Sequence, residues 1–336
     1  MKKTVSTVIT GLIMSTLFLS ACSSGTGGQA DASETSEDTI TVYTAGPKGL
    51  ADEMTAKFEE ETGIKVEMFQ GTTGKILSRL EAEANNPVAD VVVLASIPSM
   101  EGLKAEDKLQ PYESENDASM NKDWSDPEHY YHGYSASALG VAYNTDNVSG
   151  LDADWKEFSE DEWKGRVTMP DPTSSGSAVD FLYGLTSTEK DGWDTIQSLM
   201  DNDLLVAGAN KESLESVITG SKDVVVSAVD YMAYKAKADG EPIDIYYPES
   251  GTVISPRAAG ILKDAKNKEG AEEFIDFLTS DEAQELVANA YLLPGNEDIP
   301  LEDRAALSEI PTLPVSWDGA EEKQEDTLDK FTEMMQ

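Results

Sequence analysis

The amino-acid sequence predicts an α/β protein with two lobes, and three observations support this fold class. The chain has 336 residues, more than one ordinary hydrophobic core needs and enough for two. β-rich segments alternate with helical apolar patterns, which is typical of parallel sheets with crossover helices. Two longer β-rich segments, residues 133–144 and 251–261, are suited to carry the chain between lobes. We expect each lobe to be a mainly parallel sheet flanked by helices, with two hinge crossings.

The first 22 residues have the pattern of a targeting segment. Lys2 and Lys3 precede an apolar run at 8–19 that is too short and too rich in Ser and Thr for a transmembrane span. The run ends in LSAC, and its Cys22 is the only cysteine in the sequence. This motif resembles the lipobox of bacterial lipoproteins. The resemblance implies that Cys22 is acylated and anchors the protein to the cell membrane; the alternative is a plain signal peptide cut after Ala21.

Acidic residues dominate the charge of the chain. The formal net charge is −39 at pH 7, which repels nucleic acid and anionic lipid headgroups, so we expect no nucleic-acid partner. Solubility is the simplest reason for this acidity. Residues 23–38 are rich in Ser, Gly and acidic side chains without apolar periodicity. We expect them to form a flexible acidic tether.

The first lobe is predicted from three β-rich runs that alternate with two helices. In order, they are a strand at 40–43, a helix with Leu50, Met54 and Phe58 on one face, a strand at 64–69, a helix with Ile76, Leu77, Leu80 and Ala84 on one face, and an apolar strand at 90–94. In parallel sheets, ligands bind at the carboxyl ends of the strands. Ala45, Gly46, Thr72, Thr73 and Ser96 stand at these ends, so we expect them to contact a ligand.

The second lobe contains a strand-to-helix turn at residues 166–181, RVTMPDPTSSGSAVDF. Two prolines end the strand, and Ser174, Ser175 or Ser177 can cap the helix that follows. First-turn amides at such a start are unpaired and favour an anion. Thr72 and Thr73 stand in a similar turn, and we expect the two turns to face each other across a cleft. The alternative is that both are ordinary helix caps.

Three further residues are candidate ligand contacts. An apolar strand at 224–226 leads to Asp230 and Tyr231. Asp230 is suited to hold an amino group of the ligand or to cap a helix, and Tyr231 to stack or donate its hydroxyl. Arg257, in the return crossing, is suited to bind an anion in a bidentate way or to form a structural salt bridge. We assign residues 39–136 and 256–336 to lobe 1 and residues 137–255 to lobe 2.

The order of these elements carries a resemblance that covers nearly the whole mature chain. The matching segments are VYTAG at 42–46, FEEETGIKV at 58–66, ADVV at 89–92, ALGVAYN at 138–144, WKGRV at 163–167, FIDFLTS at 274–280, AQ at 283–284 and LP at 293–294. Together they resemble the substrate-binding lipoproteins of ABC importers with the type 2 periplasmic-binding-protein fold, in the branch of ferric-iron, thiamine and phosphonate binders.

This resemblance implies a monomer, extracytoplasmic and held at the membrane by Cys22, that delivers a small solute to a permease and its ATPase. The ferric binders have adjacent tyrosines and a histidine, where this sequence has Tyr231 followed by Met232 and Gly46 followed by Pro47. We therefore expect an anionic solute, such as a phosphonate or organophosphate, with no metal and no cofactor. The alternative is a ferric-iron or thiamine binder.

Patterns for catalysis are incomplete. GYSAS at 133–137 lacks the last glycine of a nucleophile elbow, and GTTGK at 71–75 lacks the spacer of a P-loop. His129 and His132 are spaced like a metal clip, but we expect a surface loop there. A lipid-anchored hydrolase and an adhesion lipoprotein are the rival classes, and we expect no enzyme activity.

Overall fold

The computed structural model describes residues 39–317 and 319–336. The predicted targeting segment, Cys22 and the tether lie outside these residues. Within them, no helix has both the length and the apolar character needed to cross a membrane.

The described chain alternates strands and helices. The strands are β1 (Thr39–Thr44), β2 (Lys65–Gln70), β3 (Val91–Leu94), β4 (Leu109–Gln110), β5 (His132–Asn144), β6 (Val167–Met169), β7 (Leu205–Val206), β8 (Val224–Val229), β9 (Ile243–Tyr246), β10 (Val253–Leu262) and β11 (Leu293–Pro294). The helices are α1 (Lys48–Thr62), α2 (Thr73–Ala82), α3 (Ile97–Ala105), α4 (Gly176–Thr188), α5 (Gly192–Asp201), α6 (Asn210–Ile218), α7 (Asp230–Ala238), α8 (Lys268–Thr279), α9 (Asp281–Asn289) and α10 (Ala320–Met334).

The sheet consists of two parallel groups joined by antiparallel strands. In the first parallel group β1 pairs with β2 and β3, and in the second β6 pairs with β7 and β8. The long strands β5 and β10 lie between the groups and pair with each other in the antiparallel sense. β10 is also antiparallel to β3 of the first group, and β5 is antiparallel to β8 of the second. The strand order is β2-β1-β3-β10-β5-β8-β6-β7. The predicted α/β architecture is confirmed, with β5 and β10 as its two crossings.

Each parallel group packs against its own hydrophobic core. Phe58 of α1 packs against Phe274 of α8 beside the first group, with ring centroids 5.1 Å apart. Phe181 of α4 packs against Trp155 beside the second group, at 4.8 Å. β3 is buried along its whole length, which explains its continuous apolar sequence. α10 adds Phe331 to the second core, although it belongs to the segment that we assigned to lobe 1; the lobe boundaries stay a prediction.

Two irregular strand pairings adjust side chains at the centre of the sheet. The register of β5 against β8 shifts between Gly140 and Val141, which leaves Ser227 as an extra residue in β8. Ser227 is buried and has a φ of 62°, the left-handed region in which a bulged residue often lies. The register of β10 against β5 shifts directly after Arg257. Such bulges redirect side chains, and both occur on the strands that reach the candidate site.

Candidate functional site

A cavity of about 530 Å³ lies between the two parallel groups. Residues at the beginnings of five helices line it, namely α2, α3, α4, α6 and α7. Unpaired amide groups give each helix start a partial positive charge. The carboxyl ends of the strands therefore deliver several positive helix ends to one space.

The α4 start is built by a small hydrogen-bond network. The Ser175 hydroxyl accepts from the Ala178 amide at 3.3 Å and donates to Oδ1 of Asn210 at 2.8 Å. The amide group of Asn210 in turn donates to the Ser177 hydroxyl at 2.9 Å. Within the described chain, the backbone amides of Gly176 and Ser177 have no acceptor. They remain free to receive the oxygen atoms of a ligand.

The facing wall is built in the same way by the first parallel group. Thr72 caps α2 by accepting from the Lys75 amide at 3.4 Å, and Ser96 caps α3 by accepting from the Ser99 amide at 3.4 Å. Thr73 accepts from the Ala95 amide at 3.3 Å, which fixes the start of α2 against the end of β3. Thr72 and Ser96 are thus helix caps, as the alternative interpretation held, and all three residues line the cavity.

Arg257 provides the buried cation of the cavity. The residue is 7% exposed, and one terminal nitrogen donates to the Ser137 hydroxyl at 2.9 Å. Its Nε is buried and has no hydrogen-bond partner in the part of the chain that the structure describes. No carboxylate of the described chain lies within salt-bridge distance of its guanidinium. The guanidinium carbon lies 5.6 Å from the ring centroid of Tyr231, which also lines the cavity. Arg257 is therefore ready to pair with an anion.

The charge of the cavity is opposite to that of the protein as a whole. Its described lining includes two cationic side chains, Arg257 and Lys211, and no carboxylate or imidazole. The complete sequence carries a net charge of −39. Because a low-dielectric cleft concentrates the field of its own walls, this local reversal favours an anionic ligand.

A buried acid stands behind one wall of the cavity. Asp180 of α4 is 1% exposed, and its carboxylate accepts from the Ser255 hydroxyl at 2.6 Å and from the Gln324 side-chain amide at 2.7 Å. Both donors line the cavity. Burial raises the pKa of the Asp180 carboxyl to about 6, although these hydrogen bonds and Arg257 oppose the shift.

Asp230 occupies a different place from the one expected. It is fully buried and forms an ion pair with Arg304 at 2.9 Å, rather than lining the cavity. The Tyr247 hydroxyl donates to the same carboxylate at 3.0 Å. This ion pair satisfies the charge of Asp230 and holds its carboxylate away from the cavity. The adjacent Tyr231 does reach the cavity.

Gly46 and His132 also lie in surroundings that differ from those predicted. Gly46 does not line the cavity; its amide donates to the Thr44 hydroxyl at 3.0 Å, and its carbonyl accepts from Gln70 at 3.0 Å. His132 is buried in β5 rather than on the expected surface loop, and it shares Asp117 with His129. Within the described residues, no group of three or more His, Cys, Asp or Glu side chains is placed so that it could hold a metal ion.

The structure brings most of the predicted contacts to one cavity. Those that line it are Ala45, Thr72, Thr73, Ser96, Ser174, Ser175, Ser177, Tyr231 and Arg257. Sequence reasoning missed Asn210, Ser255 and Gln324. Asn210 begins a helix after β7 and follows Gly208, the same strand-turn-helix signal that marked the other turns. Gln324 gives no such signal, because it approaches Asp180 from 144 positions away.

Comparison with known proteins places this architecture in a family. A family model described as bacterial extracellular solute-binding protein matches residues 86–323. Iron uptake protein A1 of Synechocystis is 26% identical over 313 residues, covering 88% of this chain and 86% of that protein. A Salmonella typhimurium protein named "Putative 2-aminoethylphosphonate-binding periplasmic protein" is 24% identical over 310 residues, covering 86% and 90%.

A solved structure shows the same fold. The periplasmic binding protein AfuA of Actinobacillus pleuropneumoniae, solved with exogenous fructose-6-phosphate bound, has a TM-score of 0.79 at 21% identity. The match covers 88% of this chain and 98% of that chain. The predicted type 2 periplasmic-binding-protein fold is confirmed. The chain belongs to the bacterial extracellular solute-binding proteins, a family that acts outside the cytoplasm and binds small solutes for transport.

Proposed function

We propose that the protein is the solute-binding component of an ABC importer and captures a small anionic solute, such as a phosphonate or an organophosphate. The solute binds in the cavity between the two parallel groups and passes to a permease driven by an ATPase. Two relatives carry names that refer to iron uptake and to 2-aminoethylphosphonate, which supports uptake of a small solute. A ligand that touches both walls stabilises the closed arrangement by its higher affinity for it.

The observation that carries this proposal is the buried guanidinium of Arg257, which has no ion-pair partner among the described residues. A buried cation without a carboxylate is costly, and a ligand oxyanion would remove that cost. The free amides of Gly176 and Ser177 supply further donors to the same cavity. Charge-assisted hydrogen bonds from a guanidinium and helix amides are the strong contacts that phosphate-like groups form.

The same lining makes ferric iron and thiamine weaker candidates. Ferric iron needs several hard donors, and Tyr231 is the one phenol among the described residues of the lining. Burial raises the pKa of that phenol, which disfavours the phenolate that would bind the metal. Thiamine is cationic and would meet Arg257 and Lys211 without a carboxylate in the described lining.

Capture without chemical change completes the proposal. The described lining has no carboxylate or imidazole placed to act as a general base, which supports a binding protein rather than a hydrolase. We propose that the protein works as a monomer, with no nucleic-acid partner, anchored to the membrane through lipidated Cys22.

Calorimetric titration and thermal unfolding of the purified protein test the ligand class. The probes are inorganic phosphate, methylphosphonate, a hexose phosphate, thiamine and ferric citrate. We expect at least one phosphate-like probe to bind and, at 100 times its dissociation constant, to stabilise the protein by about 2.7 kcal/mol. Binding of ferric citrate with a visible tyrosinate-to-iron absorption band, and of no phosphate-like probe, would overturn the anion assignment.

A further inference from the structure

A second determinant of ligand choice lies beside the free amides of the α4 start and Arg257. Ser255 and Gln324 line the cavity, and each gives a hydrogen to the buried carboxylate of Asp180. A serine hydroxyl has one hydrogen and two lone pairs. Because Asp180 takes the hydrogen of Ser255, the oxygen atom of that hydroxyl is left to the cavity as an acceptor.

Gln324 is oriented by the same carboxylate. Its amide nitrogen donates to Asp180 at 2.7 Å, which fixes the assignment of the side-chain nitrogen and oxygen. The carbonyl oxygen then remains available as an acceptor. Asp180 is 1% exposed and acts on the cavity through these two side chains, so it is a positioning residue.

The acceptors lie close to the groups that attract an anion. Ser255 and Arg257 are two residues apart on β10, so their side chains leave the same face of the strand with Cα atoms about 7 Å apart. Asp180 lies one turn beyond Gly176 on α4, about 6 Å along the helix axis. The acceptors Ser255 and Gln324 can therefore contact one end of a small molecule whose anionic end contacts Arg257 and the amides of α4.

We propose that Asp180, acting through Ser255 and Gln324, selects oxyanions whose other end donates hydrogen bonds. The donor is an amino or a hydroxyl group, held by acceptors while Arg257 and the helix amides hold the anionic end. This inference rests on the proposed function, because it assumes that an oxyanion occupies the cavity. It adds a requirement on the rest of the ligand that the anion site does not impose.

Three phosphonates of nearly equal size test the proposal by calorimetric titration at pH 8. They are ethylphosphonate, 2-hydroxyethylphosphonate and 2-aminoethylphosphonate. We expect the two donor-bearing probes to bind about tenfold more tightly than ethylphosphonate, since that probe leaves buried acceptors unpaired. The order of the other two tells whether the wall favours an amine or a hydroxyl.

The variant Asp180→Asn supplies the decisive comparison, with Asp194→Asn on the exposed surface of α5 as the matched control. We expect Asp180→Asn to reduce the advantage of the donor-bearing probes to less than threefold, and the control to keep it. If Asp180 merely balances the charge of Arg257, its replacement strengthens all three probes equally and the ratio persists. That result would overturn the inference.

A second variant and two further binding results complete the test. If Asp180→Asn fails to fold by circular dichroism, Ser255→Ala serves instead, with the same expected loss of the ratio. Equal binding of all three probes by the unaltered protein would overturn this inference and leave the anion assignment intact. Binding of none of them, nor of phosphate, would overturn the proposed function and the inference with it.

Discussion

Two buried arginines of this protein have opposite surroundings. The Arg304 side chain is fully buried, and all three of its nitrogens donate, to Asp230, Tyr291 and Ala305. Arg257 is equally buried, with 7% of the residue exposed against 9% for Arg304, but it donates to one hydroxyl and keeps a buried Nε that has no partner among the described residues. Burial alone therefore does not distinguish a structural arginine from a binding arginine. The unsatisfied hydrogen-bonding capacity of Arg257 does.

Removing Arg304 is the largest expected perturbation. Arg304→Met leaves the Asp230 carboxylate buried without its counter-charge, and we expect the free energy of unfolding to fall by about 3–5 kcal/mol. Denaturant unfolding followed by circular dichroism measures it. The double variant with Asp230→Asn should recover much of the loss, because the buried charge is gone. A loss below about 1 kcal/mol in the single variant would show that the pair is not structural.

Removing Arg257 should weaken binding without weakening the fold. We expect Arg257→Met to weaken methylphosphonate binding by about 2–4 kcal/mol, or roughly 30- to 1,000-fold. The free energy of unfolding without ligand should not fall, and we expect it to rise by about 1 kcal/mol or more, because the variant removes a buried cation that has no ion-pair partner among the described residues.

Lys211→Met is the matched control for Arg257→Met, because Lys211 is an exposed cation at the rim of the same cavity. We expect a several-fold weakening that fades at high salt. A larger effect at Lys211 than at Arg257 would reverse the assignment of the binding cation.

The contrast between the arginines also marks how far the sequence could be read. Strand and helix order was predictable, because apolar periodicity and turn residues are local signals. The helix starts at Thr72 and Ser175 were predictable for the same reason. Whether Asp230 or Arg257 would face a ligand was not, because the partner of Asp230 is Arg304, 74 positions away.

Bulges and long-range contacts were equally hidden. Ser227 lies in the apolar run VVVSAV, which contains no glycine or asparagine to announce a left-handed residue. Gln324 lies in the highly charged C-terminal helix α10, yet it reaches the cavity. Such features depend on which elements meet in three dimensions, and a single sequence does not encode this in local patterns.

Asp180 is a third buried charge, intermediate between the two arginines because its partners are neutral. The folded-state pKa of about 6 lies above the ordinary value of 3.8 for an aspartate, so the folded protein binds the proton more strongly than the unfolded chain. This contribution to stability is present below pH 4 and is lost as pH rises through 6. We expect the protein to lose about 2–3 kcal/mol relative to Asp180→Asn between pH 4 and pH 8.

Denaturant unfolding of both proteins across this pH range measures the difference, and groups common to both proteins cancel. Arg257 is the charged group that lowers the Asp180 pKa, so the loss of Arg257→Met relative to the double variant Arg257→Met with Asp180→Asn should be larger. A pH-independent difference between Asp180→Asn and the unaltered protein would show that Asp180 keeps an ordinary pKa.

Replacing Ser227 has the smallest expected effect on the free energy of unfolding. It tests whether the strand bulges help to give the two arginines different partners. The bulge at Ser227 shifts the register of β8 just before Asp230, the partner of Arg304, whereas the shift in β10 follows Arg257 directly. Ser227 has a left-handed φ, and its buried hydroxyl has no hydrogen-bond partner within residues 39–317 and 319–336. Both features cost free energy, and Ser227→Gly removes both. The greater conformational freedom of glycine in the unfolded chain offsets part of this gain, so we expect a net stabilisation of about 1 kcal/mol.

Ser227→Ala separates the two contributions, because it removes the hydroxyl but keeps the left-handed strain. Denaturant unfolding should place its stability between those of the unaltered protein and Ser227→Gly. If Ser227→Gly instead destabilises the protein while methylphosphonate binding is lost, the serine holds β8 in the register that delivers Tyr231 to the cavity. The bulge would then be needed for ligand binding, as Arg257 is, and would not be a strain that the fold merely tolerates.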